Sequence, residues 1–407
     1  LVTAFLAWML MRPDRNPIPP PTEYLPQAEA ALVEAAAGEG IDQALVERAA
    51  ELAAEARAGG EDLDACSAIE VAAQAVLRAL PAIPAIRDNG TEIVGLGEAE
   101  AAVGELPDSV PKPLRVVLEN DLGKRKQDVR AGLARKIIDR AVARLNDNDL
   151  RSPETPIEGK KRSLEDSVQD LEQAIEFDPG SWLAHDRLGL CESLRGRYPE
   201  AIEAYGKALG LMAEQGGLDG GVREEVLRRR AYALAQARRY GEAAADYVTA
   251  ADHDAKVCGV LWELKNRAWE TENYADAAVI LDHLERLLRD DPECCPAEIN
   301  PWDVSGDRAW LLACGFGDDP ADRAVPVAKA YVESLGKALE TAEEGGKIDL
   351  MKRRFNAVDT LACAYARAGD FAAAMRTIDE LLAQFPSDND FQEHREKFER
   401  QEAWDEP

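Results

Sequence analysis

The chain has 407 residues, 46% of them hydrophobic but only 6% aromatic, and it carries a formal charge of −29. That charge argues against nucleic acid and acidic lipid surfaces as partners, because phosphate recognition needs clustered lysine and arginine. The Ala-rich apolar content and the near absence of alternating β-branched runs disfavour a thick sheet core, and predict an all-α protein built as one elongated array or two domains. The acidity has two readings, solubility of an Ala-rich array or attraction to a partner with a basic surface.

Residues 1–22 read as an apolar stub and a Pro-rich linker. LVTAFLAWMLM, before Arg12, is too short to cross a bilayer, which takes about 20 residues, and it lacks the flanks of a complete signal peptide. It reads either as the end of a truncated transmembrane helix or as a short apolar N-terminal helix. Pro13 and the run Pro17-Ile18-Pro19-Pro20-Pro21 then form a stiff spacer. A membrane anchor upstream of residue 1 would hang an otherwise cytoplasmic chain on that spacer.

Residues 23–145 are predicted as a separate N-terminal helical region, either a bundle or degenerate helix pairs that cap the downstream array. Helices are expected over 26–37, 41–58 and 63–80, then a Pro- and Gly-broken stretch over 81–112. A longer helix over 114–145 carries a basic face through Lys124, Arg125, Lys126, Arg130, Arg135, Lys136 and Arg140. Ile93-Val94-Gly95-Leu96-Gly97 has the opening glycines of a dinucleotide-binding turn but lacks the third, and Glu98 would repel a pyrophosphate. It reads as a loop before a helix. Residues 146–162 are polar and read as a linker or long loop.

Regular spacing governs the stretch 146–390. In LACAYARAGDFAAAMRTIDELLAQFP, residues 361–386, an apolar helix pattern reaches Gly369-Asp370-Phe371. A second follows through Ala374, Ile378 and Leu381, and Pro386 stops it. The same grammar runs from Leu188-Gly189 through the turn Gly196-Arg197-Tyr198 to Ala201, Tyr205 and Ala208. It recurs from Arg230-Ala231 through Arg239-Tyr240-Gly241 to Ala243, Tyr247 and Ala250, and from Leu264-Lys265 through Asn273-Tyr274 to Ala277, Leu281 and Leu284. An earlier half-copy ends at Ala174, Ile175 and Pro179. Ala174 to Ala208 is 34 residues, as is Ala243 to Ala277, while Ala201 to Ala243 is 42 because Gly216–Gly221 inserts a loop. Around 305–340 the spacing is weak.

A helix–turn–helix unit repeated every 34 residues resembles the tetratricopeptide repeat (TPR) family, found in bacterial multidomain and standalone proteins alike. The resemblance covers a little over half of the chain, as four to six helix pairs. Lys265, where a small residue is usual, predicts looser packing of its pair, and Arg230 replaces a large apolar residue. The family implies a right-handed α-α superhelix whose first helices line a groove for an extended peptide or a helix. Carried over repeat by repeat, the groove candidates are Leu183, Asp186, Leu190 and Ser193, then Arg228, Tyr232 and Gln236. Trp262, Asn266, Trp269 and Glu270 follow, then Asn356, Asp359 and Arg367. Trp262 and Trp269, seven apart, share a helix face and read either as binding anchors or as filling of the next junction. The family's clamp for a terminal carboxylate needs lysine and asparagine at set positions. Only Asn266 fits, so no clamp is expected. Residues 391–407 form a charged tail whose start would cap the last apolar face as a helix.

No motif for catalysis emerges: the sequence contains neither a GxxxxGK[ST] string nor a GxSxG elbow. Seven cysteines in irregular spacing favour a reducing compartment. The vicinal Cys294-Cys295 lacks a second pair or histidine to complete a zinc site. His185, His253, His283 and His394 are scattered, and His185 is expected at the groove or the surface. The expectation is a non-enzymatic scaffold without cofactor or metal, binding a protein or peptide partner, with self-association open. The rival reading is a regulatory tail of a membrane-anchored protein such as a bacterial protein kinase.

Overall fold

A computed structural model describes residues 24–37, 40–89, 92–146, 157–216, 220–250, 256–291 and 299–404. The N-terminal stub, most of the linker at 147–156, the tip of the 216–221 loop, His253 and Cys294-Cys295 lie outside them. The described residues form seventeen helices and one short hairpin. The chain divides into two compact units, 1–153 with 169–181 and 154–168 with 182–407.

The first unit begins with α1 (Tyr24–Glu34), α2 (Gln43–Ala58) and α3 (Leu63–Ala85). Asp42 and Asp62 start α2 and α3 by accepting the first free backbone N–H groups. Val46, Ala49, Leu52, Ala53 and Ala56 of α2 face Ile69, Ala72, Ala73, Val76 and Ala79 of α3 in a common core. By length and hydropathy α3 could cross a membrane, but it buries its apolar face in that core.

The structure corrects the expected break at Pro81. The helix runs through Pro81 and Pro84 to Ala85, and Arg125 donates to the carbonyls of Pro84 and Ile86 where it ends. A hairpin of β1 (Arg87–Asp88) and β2 (Ile93–Val94) comes next, then α4 (Leu96–Gly104), which Gly95 opens in a left-handed conformation. The basic face of α5 (Lys112–Asn146) is matched within this unit: Lys126 pairs with Glu100, Lys136 with Asp88, and Arg140 with Asp170. Asp170 lies on α6 (Ile157–Phe177), whose residues are divided between the units.

The second unit is a run of antiparallel helix pairs: α7 (Trp182–Leu194) with α8 (Tyr198–Glu214), and α9 (Gly220–Gln236) with α10 (Tyr240–Ala250). Next come α11 (Lys256–Glu270) with α12 (Tyr274–Asp290), α13 (Pro301–Cys314) with α14 (Pro320–Thr341), and α15 (Glu344–Arg367) with α16 (Phe371–Leu382). The terminal α17 (Asn389–Glu399) buries Phe391, His394 and Phe398.

Every first helix ends the same way. The N–H of Arg197, Arg239, Asn273, Phe316 and Asp370 reaches back five residues to the carbonyl of Glu192, Leu234, Ala268, Leu311 and Tyr365. This closure needs one left-handed residue, here Gly196, Arg238, Glu272, Gly315 and Gly369 in turn. Within a pair, small residues let the backbones approach: a Cβ on Gly189 would stand 2.8 Å from the Tyr205 ring.

Ion pairs replace apolar contacts where the repeat pattern lapses. Arg230 donates two 2.6 Å hydrogen bonds to Asp246 across its own pair. Lys265 is buried, and its ammonium reaches Asp307 of α13 at 2.9 Å, so a side chain expected to loosen its pair ties that pair to the next. Asp282 of α12 accepts from Arg308 of α13 and Arg323 of α14. The weakly patterned 305–340 region is a full pair, with α14 and α15 lengthened to 22 and 24 residues.

Candidate functional site

The expected groove residues separate by exposure and by partner. Leu183 and Leu190 on α7 are half-buried. Asp186 is 1% exposed, and both its oxygens accept hydrogen bonds from Arg229 of α9 at 2.9 Å. Arg228 is exposed and pairs with Glu225 one turn back, Tyr232 is 50% exposed, and Gln236 is half-buried. Trp262 and Asn266 are half-buried on α11, with the Lys265 ammonium 3.8 Å from the Trp262 ring centroid. Arg367, at the end of α15, donates to the carbonyls of Ala313, Cys314 and Trp404 and so caps α13. His185 is buried in α7, which corrects its expected place at the groove or surface.

Three of these residues, Trp269, Asn356 and Asp359, meet in a cavity of about 700 Å³. Its largest wall is one face of α13. Asn300 caps that helix, Pro301 occupies its first turn, and Trp302, Asp303, Gly306, Asp307 and Trp310 succeed one another at helical spacing. Gly306 leaves room for the Tyr331 hydroxyl of α14, which would stand 2.8 Å from a Cβ there. The facing wall is α15, with Arg353, Asn356, Asp359 and Thr360 three and four residues apart. The start of α17 contributes Asp388, Asp390, Phe391, Glu393 and His394, and Trp404 closes the end. The lining comes chiefly from first helices, the face that the resemblance implies for binding.

Part of the polar lining is engaged within the fold. Arg353 pairs with Asp303 and, at 2.9 Å, with Asp349. The hydrogen bonds from Asp349 and then Asp303 hold its guanidinium above the ordinary range. Asp388 caps α17 by accepting from the N–H groups of Asp390 and Phe391. His394 Nδ1 lies 2.7 Å from Asp359 Oδ1, and Cys363 Sγ approaches the same nitrogen at 3.7 Å. Burial pushes the Asp359 carboxyl up, and the His394 hydrogen bond offsets part of that rise.

These are metal-ligating residue types brought together by the fold. However, the carboxylate–imidazole separation is that of a direct hydrogen bond rather than of two ligands around one ion. Thiol and carboxylate also converge on one ring nitrogen, so the imidazole does not relay between them, and burial pushes the Cys363 thiol far up.

The local signal for this site was the Trp302–Trp310 face with Asp303 and Asp307 between its aromatics. Its partners lie up to 94 residues downstream, at Trp404, and no short-range pattern connects them.

No family model and no curated protein matches this chain. Among solved structures it is similar to Pseudomonas aeruginosa PilF, at 18% identity over 67% of this chain and 99% of that one, with a TM-score of 0.25. It is similar to the TPR domain of P58(IPK), at 15% identity over 93% and 92% and a TM-score of 0.25. It is also similar to a Pyrococcus horikoshii signal-transduction ATPase with a TPR sensor, PH0952, at 13% identity over 97% and 57% and a TM-score of 0.25. Both measures are low, and nothing in the site rests on these likenesses. By its own helix pairs and their turns, the second unit is an all-α array of tetratricopeptide-like repeats.

Proposed function

We propose that this chain is a non-catalytic interaction scaffold that holds a segment of a partner protein in the cavity between α13, α15 and α17. The observation that carries the reading is the cavity itself, built on first helices and walled by four aromatic side chains from separate helices, Trp269, Trp302, Tyr331 and Phe391. Aromatic walls supply large contact area at low entropic cost. Ion pairs and caps already fix the helices around them, so a partner would bind a preformed surface with little ordering cost. The chemistry of the lining supports binding over turnover, because its thiol is deeply buried and its histidine Nδ1 is engaged by Asp359.

The test is affinity capture with the intact chain beside two variants of equal helicity by circular dichroism. One is Trp302→Ala/Trp310→Ala in the cavity, and the other is Arg228→Glu/Tyr232→Ala on the exposed face of α9. A protein retained by the intact chain and lost by the first variant alone supports the cavity. Loss with the second variant alone would move the site to α9. A saturable catalytic activity abolished by either variant would overturn the scaffold reading.

A further inference from the structure

The cavity wall is strongly acidic: Asp303, Asp307, Asp359, Asp388, Asp390 and Glu393 face it against the single guanidinium of Arg353. Asp303, Asp307 and Asp359 meet Arg353, Lys265 and His394, and Asp388 serves as a helix cap. Asp390 and Glu393 are exposed at the rim, and among the described residues neither has a cationic partner within ion-pair distance. Carboxylates beside tryptophan faces are a receptor for a cation, which gains from both the ion pair and the ring quadrupole.

The chain shows this mode with its own side chains. The Lys265 ammonium sits 2.9 Å from Asp307 while lying 3.8 Å and 5.6 Å from the ring centroids of Trp262 and Trp269. Lys397 stands 4.0 Å from the centroid of Trp404. Asp307, Trp269 and Trp404 all line the cavity, so the same groups already hold ammonium ions at its margin. An anionic segment would be repelled here, and a purely apolar one would strip water from carboxylates without replacing it.

We infer that the cavity receives the lysine side chain of a basic partner segment, its ammonium paired with Asp390 and Glu393 and its stem laid against Trp302 and Trp310. This rests on the reading of the cavity as the partner site and adds the chemistry of what enters it. A chain of charge −29 attracts any cation weakly, so the test must separate this pocket from the bulk field.

Fluorescein-labelled peptide pools identical except for lysine, norleucine or glutamate at a central position are titrated against the full chain by anisotropy. The lysine pool is expected to bind about ten-fold or more tighter than the glutamate pool. Asp390→Asn/Glu393→Gln should remove most of that preference. Glu214→Gln/Glu340→Gln makes the same charge change at exposed sites that do not line the cavity, and should keep it. Equal loss in both charge variants would reduce the effect to bulk attraction and overturn the inference. Norleucine binding as well as lysine, with loss in Trp302→Ala/Trp310→Ala, would overturn the cation while leaving the partner site intact. Binding of none of the pools would overturn the cavity as a peptide site altogether.

Discussion

Arg238 and Glu272 hold left-handed conformations, at φ 61° and 57°, that glycine fills in the corresponding turns at Gly196, Gly315 and Gly369. A side chain there costs roughly 1 kcal/mol against glycine. Glu272→Gly should therefore raise stability by about 1 kcal/mol, read as a higher urea midpoint at unchanged slope. The opposite substitution fails where two backbones meet: in Gly189→Ala the new methyl overlaps the Tyr205 ring, and a loss of about 1–3 kcal/mol is expected in the same titration. Both sites were legible as residues, since Gly189 and Tyr205 stand at the repeat's small and large positions and Asn273-Tyr274 marks the turn. The left-handed Glu272 was not, because a glutamate carries no local sign of a positive φ. His394 and Cys363 were also hidden, because they are 31 residues apart and only the docking of α17 on α15 brings them together.

Between elements, buried ion pairs stitch successive repeats, and their energetics separate pairing from mere charge. Lys265 is 5% exposed and depends on Asp307. Asp307→Ala should cost about 2 kcal/mol by leaving the ammonium unmatched. Lys265→Met added to Asp307→Ala should restore most of that stability, whereas a mere loss of surface charge would show no such rescue in thermal melts.

Asp282 gives the arrangement a pH signature. Burial raises its carboxyl, but the hydrogen bonds and charges of Arg308 and Arg323 outweigh that, and its pKa falls below the ordinary carboxylate value. A depressed folded pKa gives stability that is complete above the unfolded value of about 4 and is lost as pH falls through the folded one. Asp282→Asn should therefore destabilise the chain at pH 7 by roughly 2 kcal/mol and by much less near pH 3. An equal loss at both pH values would contradict the role given to these arginines. The elements themselves were mostly legible, including the long helix expected over 114–145. The α13/α14 pair escaped because lengthened helices place Gly315 and Gly369, its flanking turns, 54 residues apart instead of 34. The helix through Pro81 escaped because proline normally ends a helix, and the arginine that takes the carbonyls at its end lies about forty residues on.

At the scale of the molecule, the all-α architecture was set by composition and period, while the site was not. Repeats tell where surfaces recur, but the cavity is a departure from repetition, made where α13, α15 and α17 converge with residues that the other pairs lack. The acidity that suggested either solubility or a basic partner acquires a location there, beside tryptophans. The most direct test of the account is hydrogen exchange on the full chain, with and without a saturating lysine-bearing peptide selected by anisotropy titration. Added protection should concentrate in Pro301–Cys314, the second half of α15 and the first turns of α17, with α7 and α8 unchanged. Protection confined to α7–α10, or none anywhere at saturation, would contradict the cavity as the place where this chain holds its partner.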